Sequence, residues 1–76
     1  MKIEDVVYVR GRGYVFLGEP EKDICINDKV QIDGAEFEVR GIERIKYVKS
    51  VGLILSPNNI AYVTIQPGDE IKIISQ

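Results

Sequence analysis

Arg10 and Arg12, which flank Gly11 in "VRGRGYVFLG" (9–18), are the first residues of this chain suited to chemistry. The second group is Arg40, Arg44, Lys46 and Lys49, gathered around the single acid Glu43. Cationic side chains at such spacing suit phosphate or nucleic acid. A phosphate cradle, however, requires G-x-x-x-x-G-K-[ST], or G-x-G-x-x-G leading from a strand into a helix. The glycines here stand at 11, 13 and 18, with no following Lys-Ser and no helical pattern. Gly11 and Gly13 therefore read as backbone devices that permit a bulge or a tight crossing between paired strands. The cluster at 40–49 reads either as a solvated barrel rim or as a phosphate-facing patch.

Enzymatic chemistry has little to work with. The chain has no histidine, which removes the commonest general base, the Ser-His and Cys-His pairs and the usual zinc ligand sets. Cys25 stands alone without a basic neighbour in sequence and is expected to be a small hydrophobe in a strand. Ser50, Ser56, Thr64 and Ser75 fall at turns or strand ends, where hydroxyls serve the backbone. Asp28, Asp33 and Asp69 occupy turn positions, and Glu19, Glu21 and Asp23 share one loop without the spacing of a calcium loop. No cofactor, metal site or catalytic residue is expected.

Size and charge narrow the classes further. Seventy-six residues make one domain, spanning 1–76, and leave more room for a shallow surface site than for an enclosed cavity. A net charge of −2 argues against a strongly basic nucleic-acid binder. No apolar run approaches the ~18 residues of a membrane span, and the start lacks the pattern of a secretory signal. With one cysteine and no disulfide, the expected location is the cytoplasm.

The elements that must position these residues are strands. Short runs rich in Val, Ile and Tyr recur between Gly, Pro, Asn and Asp, with no helical periodicity. Strands are expected over 6–9, 14–17, 29–33, 35–41, 51–56, 60–65 and 70–75. Asp33-Gly34 is a hairpin turn, and "SPNN" (56–59) and "QPGD" (66–69) are further turns. Phe37 and Val39 share one face, yet Ile42 breaks their phase. That break reads either as a β-bulge near Gly41 and Ile42 or as an isoleucine covering the rim. Ile45 and Tyr47 return to the inward parity, so Tyr47 is expected in the core. No internal repeat is evident. The fold class is all-β, a small closed barrel of six to seven strands, since closure removes exposed edges.

The order of short motifs also carries a resemblance. "IEDV" (3–6), "GRG" (11–13) with Gly18, "INDKVQI" (26–32), "VRGIE" (39–43), "VGLIL" (51–55) and "IQPGDEI" (65–71) occur in sequence. Together they resemble the second, β-barrel domain of the translational GTPases, most closely that of elongation factor Tu, over about residues 3–74. The resemblance implies a closed Greek-key barrel. In elongation factor Tu this barrel packs on a GTP-binding domain and helps hold the aminoacylated 3′ end of tRNA. "GIERIKY" (41–47) then matches the segment that meets the terminal adenosine, with Glu43 at the glutamate and Lys46 at a basic position. The aromatic position falls on Ile45, which removes base stacking. Glu43 reads equally as a surface charge offset by Arg44 or Lys46. The GTP-binding and third domains lie outside this chain, so no GTP binding is expected.

The resulting expectation is a non-enzymatic, stand-alone interaction module that binds a protein partner, or itself, through a rim of Arg10, Arg12, Arg40, Glu43, Arg44, Ile45 and Lys46. The competing reading is RNA or tRNA-end binding through the same basic side chains; a small-ligand binder or enzyme ranks below both. Exposure of the apolar residues near Ile42 and Ile45 would favour a protein partner.

Overall fold

The computed structural model describes residues 1–45, 47–56 and 64–75. Its strands are β1 (Ile3–Val9), β2 (Gly13–Gly18), β3 (Lys29–Ile32), β4 (Ala35–Arg44), β5 (Val51–Ser56) and β6 (Ile71–Ser75). All six pair antiparallel in one sheet of order β1-β2-β5-β4-β3-β6. The expected strand over 60–65 and the turn over 56–59 fall mostly outside the described residues.

The turns follow from their residue types. Asp33 and Gly34 both adopt positive φ, 52° and 85°, which is the two-residue turn matching the right-handed twist of a hairpin. In the β1–β2 connection, the Arg12 N–H donates to the Val9 carbonyl at 2.9 Å. Gly11 has φ 88° and Gly13 φ 89°, conformations that cost a residue with a Cβ about 1 kcal/mol or more.

Two further turns are built alike. In Cys25–Asp28, the Asp28 carboxylate accepts the Cys25 N–H at 2.8 Å and Asn27 takes φ 79°. In Gln66–Asp69, the Asp69 carboxylate accepts the Gln66 N–H at 3.0 Å and Gly68 takes φ 101°. Each turn then docks on a distant strand. Asn27 donates to the Val39 carbonyl and Val39 donates to Asp28, while Gly68 donates to the Ile3 carbonyl and Ile3 donates to Asp69.

These correspondences extend through the chain as a repetition of backbone geometry. The register shifts once in β1, between Ile3 and Asp5, and once in β4, between Val39 and Gly41. Both shifts lie directly after the residue that receives a turn. The central contacts are self-matching as well: Val30 pairs with Ile73, and Ile32 with Ile71. The chain is thus two β-β-turn-β units, β1–β3 and β4–β6, related by an approximate two-fold. The segments "ICINDKVQI" (24–32) and "IQPGDEIKI" (65–73) keep the same residue only at Ile24/Ile65, Asp28/Asp69 and Ile32/Ile73. That is too little for the sequence to reveal the repeat.

Ile3, Phe16, Val30, Ile32, Phe37, Val39, Val51, Leu53, Leu55 and Ile71 form the core, with Met1, Ile24 and Ile65 completing it. The sheet is not closed. Its edge strands β1 and β6 meet at the single bridge Lys2↔Glu70, extended by hydrogen bonds between Met1 and Ile71 of 2.7 and 2.8 Å. Gly18 makes this approach sterically feasible, because a Cβ there would lie 2.5 Å from the Lys2 carbonyl oxygen. Gly18→Ala is therefore expected to cost about 1–3 kcal/mol, a fall in Tm of roughly 4–20 °C for a domain of this size. Gly11→Ala, strained but in open space, should cost about 1 kcal/mol. A Gly18→Ala variant that melts at the same temperature as the unaltered protein would contradict the close approach at Gly18.

Candidate interaction surface

Arg40 is the extra residue of the β4 bulge. Beyond it, Gly41 pairs with Ile54, Ile42 with Leu53, Glu43 with Gly52 and Arg44 with Val51. An unbroken register from Val39↔Leu55 would set Glu43 opposite the core residue Val51. The inserted residue sends Glu43 to the outer face, turns the Ile42 side chain onto the core and aims Arg44 along the core-facing side at the rim. Of the two readings of the phase break, the bulge is the one observed.

The described site residues separate into four groups. Arg12 and Glu43 form an ion pair across the outer face, so among the described residues the cation paired with Glu43 is Arg12 rather than Arg44. Arg40 lies about 13 Å from Arg44 along the strand, at ~3.3 Å per residue. Its guanidinium donates to Glu38 at 3.0 Å, and Lys29 approaches the same carboxylate at 3.8 Å. Arg10 is exposed in the β1–β2 turn, beside the edge-to-face pair Tyr8–Tyr14, whose ring centroids are 5.2 Å apart. Lys46 lies outside the described residues.

Arg44 and Ile45 join a feature the sequence did not single out. The β4–β5 connection presents Ile45 (44% exposed), Tyr47 (92%) and Val48 (56%) to solvent. Tyr47 is thus not a core residue. Strand alternation ends at Arg44, so parity has no meaning in the connection that follows. Tyr47 also holds φ 69°, where a residue with a Cβ carries a cost of ~1 kcal/mol or more. Beside this tip a groove of about 390 Å³ runs to the β2–β3 loop, with Pro20, Ile45, Val48 and Val51 as apolar lining and Glu19, Asp23, Arg44 and Lys49 as its charged lining. Among the described residues no carboxylate forms an ion pair with Arg44 or Lys49.

Two other expectations change. Cys25 is exposed in the turn ahead of β3, because the turn needs the Cys25 N–H for Asp28 and leaves its side chain outside the sheet. The Ser50 hydroxyl donates to the Glu4 carboxylate at 2.9 Å, fixing the end of the β4–β5 connection to β1 rather than serving the backbone.

Protein-family models, curated proteins and solved structures were all compared with this chain. None matches.

The Arg12–Glu43 pair is half-exposed on both sides, with side chains 55% and 43% accessible, so solvent screens most of its attraction. A double-mutant cycle with Arg12→Ala and Glu43→Ala should give a coupling of about 0.2–1 kcal/mol that shrinks as salt is raised. A salt-independent coupling of several kcal/mol would mean the pair is far more buried than described.

Proposed function

We propose that this chain is a non-enzymatic interaction module that captures a protein partner, or a second copy of itself, through the β4–β5 tip. The observation that carries the reading is the contiguous exposure of Ile45, Tyr47 and Val48 beside Arg44 and Lys49. Apolar side chains ringed by charge mark contact surfaces more than free surface. An aromatic side chain retained at a positive φ, where glycine costs nothing, adds support. Strain of this kind collects at functional positions.

The finer fold assignment belongs to the same proposal. The sheet is read as a closed Greek-key barrel of the translation-factor second-domain type, with the junction of β1 and β6 as its seam. Its support is the order of motifs together with the antiparallel sheet whose edges meet at Lys2 and Glu70. The competing reading, RNA or tRNA-end capture through Arg10, Arg12, Arg40, Glu43, Arg44 and Lys46, draws less from the geometry. Arg12, Arg40 and Lys29 are each paired with a carboxylate of the same surface, so their charge is compensated before any phosphate arrives.

A pull-down from the native cytoplasm with and without nuclease tests this directly, using Tyr47→Gly and the double variant Ile45→Ser/Val48→Ser. Tyr47→Gly should keep or raise Tm, since it relieves ~1 kcal/mol of backbone strain, while partner capture falls. The double variant should also fold and lose capture. Capture that persists in both variants, or that disappears on nuclease treatment, sinks the protein-partner reading; the second outcome favours RNA.

A further inference from the structure

The apolar tip and the groove beside it lie next to each other on one surface. Ile45 and Val48 line the groove, whereas Tyr47 between them is not part of its lining and stands 92% exposed. A surface that carries a projecting aromatic side chain next to an apolar groove can close on a copy of itself, each copy receiving what the other offers. Such a contact is isologous: where one residue meets a second, the second meets the first, and no third copy is recruited.

Charge decides which occupant fits. The two banks of the groove differ in sign: the β2–β3 loop contributes Glu19 and Asp23, and the β4–β5 connection contributes Arg44 and Lys49. Glu19, Arg44 and Lys49 are exposed, and among the described residues none of these three forms an ion pair. The opposite banks of one chain therefore do not satisfy each other across the groove. A ligand of one sign is attracted by one bank and repelled by the other. A second copy brings both signs at the same spacing. With a two-fold axis running along the groove, the acidic bank of each copy faces the basic bank of the other. An axis across the groove sets like banks together, which electrostatic complementarity disfavours. The axis that matches the charges also lays the β4–β5 tip of each copy over the β2–β3 loop of the other, where Pro20 supplies apolar surface.

We propose that the occupant of this surface is a second copy of the chain, in a closed two-fold dimer whose axis follows the groove. Arg44 and Lys49 of each copy face the Glu19 bank of the other, and Tyr47 of each packs toward Pro20 of the other. The apolar contact supplies the attraction, and the alternation of sign fixes the orientation. This inference rests on the reading of the β4–β5 tip as a contact surface and names its partner.

Sedimentation equilibrium of the purified full chain from ~10 μM to ~1 mM reads the assembly across the range of weak to moderate affinity. The mass should rise from one chain to two and stop there, because the contact closes. The charge swaps Arg44→Glu/Lys49→Glu and Glu19→Arg/Asp23→Arg each set like banks opposite and should each weaken the dimer roughly tenfold or more. An equimolar mixture of the two swapped proteins should recover the dimer, since every bank then faces its opposite. Tyr47→Gly, which keeps the fold, should also weaken it. A single-chain mass up to ~1 mM, a dimer that survives both swaps, or a mixture that recovers nothing would overturn the proposal. A chain that stays single while Tyr47→Gly still loses a protein in the pull-down sinks the dimer and leaves the tip as a contact surface. A chain that stays single with capture unchanged by Tyr47→Gly sinks both.

Discussion

An antiparallel ladder sends successive side chains to opposite faces, and β4 departs from that rule at one residue, Arg40. The arrangement of this surface follows from the departure. With the extra residue in place, Val39 and Ile42 both serve the core, Glu43 reaches Arg12 on the outer face, and Arg44 reaches the rim beside Val51. Without it a glutamate would face an apolar interior with no partner, at a desolvation cost of several kcal/mol. The same device recurs in β1. The shift after Ile3 places Asp5 opposite Leu17 and Val6 opposite Phe16, so again an acid moves outward and an aliphatic residue moves in.

Beside each bulge, a turn continues the hydrogen-bond ladder on the other edge of the bulged strand. Val39 and Ile3, the residues just before the two bulges, each receive an N–H and give one to a turn closed by an aspartate carboxylate. Asp28 is buried for this reason. The architecture is accordingly a unit used twice, with the two copies interleaved so that β2 meets β5 and β3 meets β6 at the two-fold. The copies diverge in their first connection. The tight β1–β2 turn needs three residues, whereas the β4–β5 tip projects an apolar loop over a groove.

Much of this was legible in the residues. Alternation in "AEFEVRG", the Asp33-Gly34 turn and the Pro-Gly turn at 66–69 follow from local chemistry, and each lies where local chemistry puts it. The phase break at Ile42 was visible as a conflict between parity and hydrophobicity, and such conflicts are the sequence signature of a bulge. The two-fold was not legible, because the repeat is kept by backbone geometry: Asn27 in one copy and Gly68 in the other supply the same positive φ. Tyr47 was misplaced because parity was carried past the end of the strand. The ion pair of Glu43 was also out of reach, since Arg12 is far from it in sequence and comes near only through the pairing of β2 with β5.

The β4 bulge can be observed without any assumption about partners. Cross-strand NOEs in the NMR spectrum of the labelled protein report which residues face each other across β4 and β5. The account predicts contacts joining Gly41 to Ile54, Ile42 to Leu53 and Glu43 to Gly52. A spectrum that joins Gly41 to Leu53 and Glu43 to Val51, continuing the Val39–Leu55 register without interruption, would contradict it.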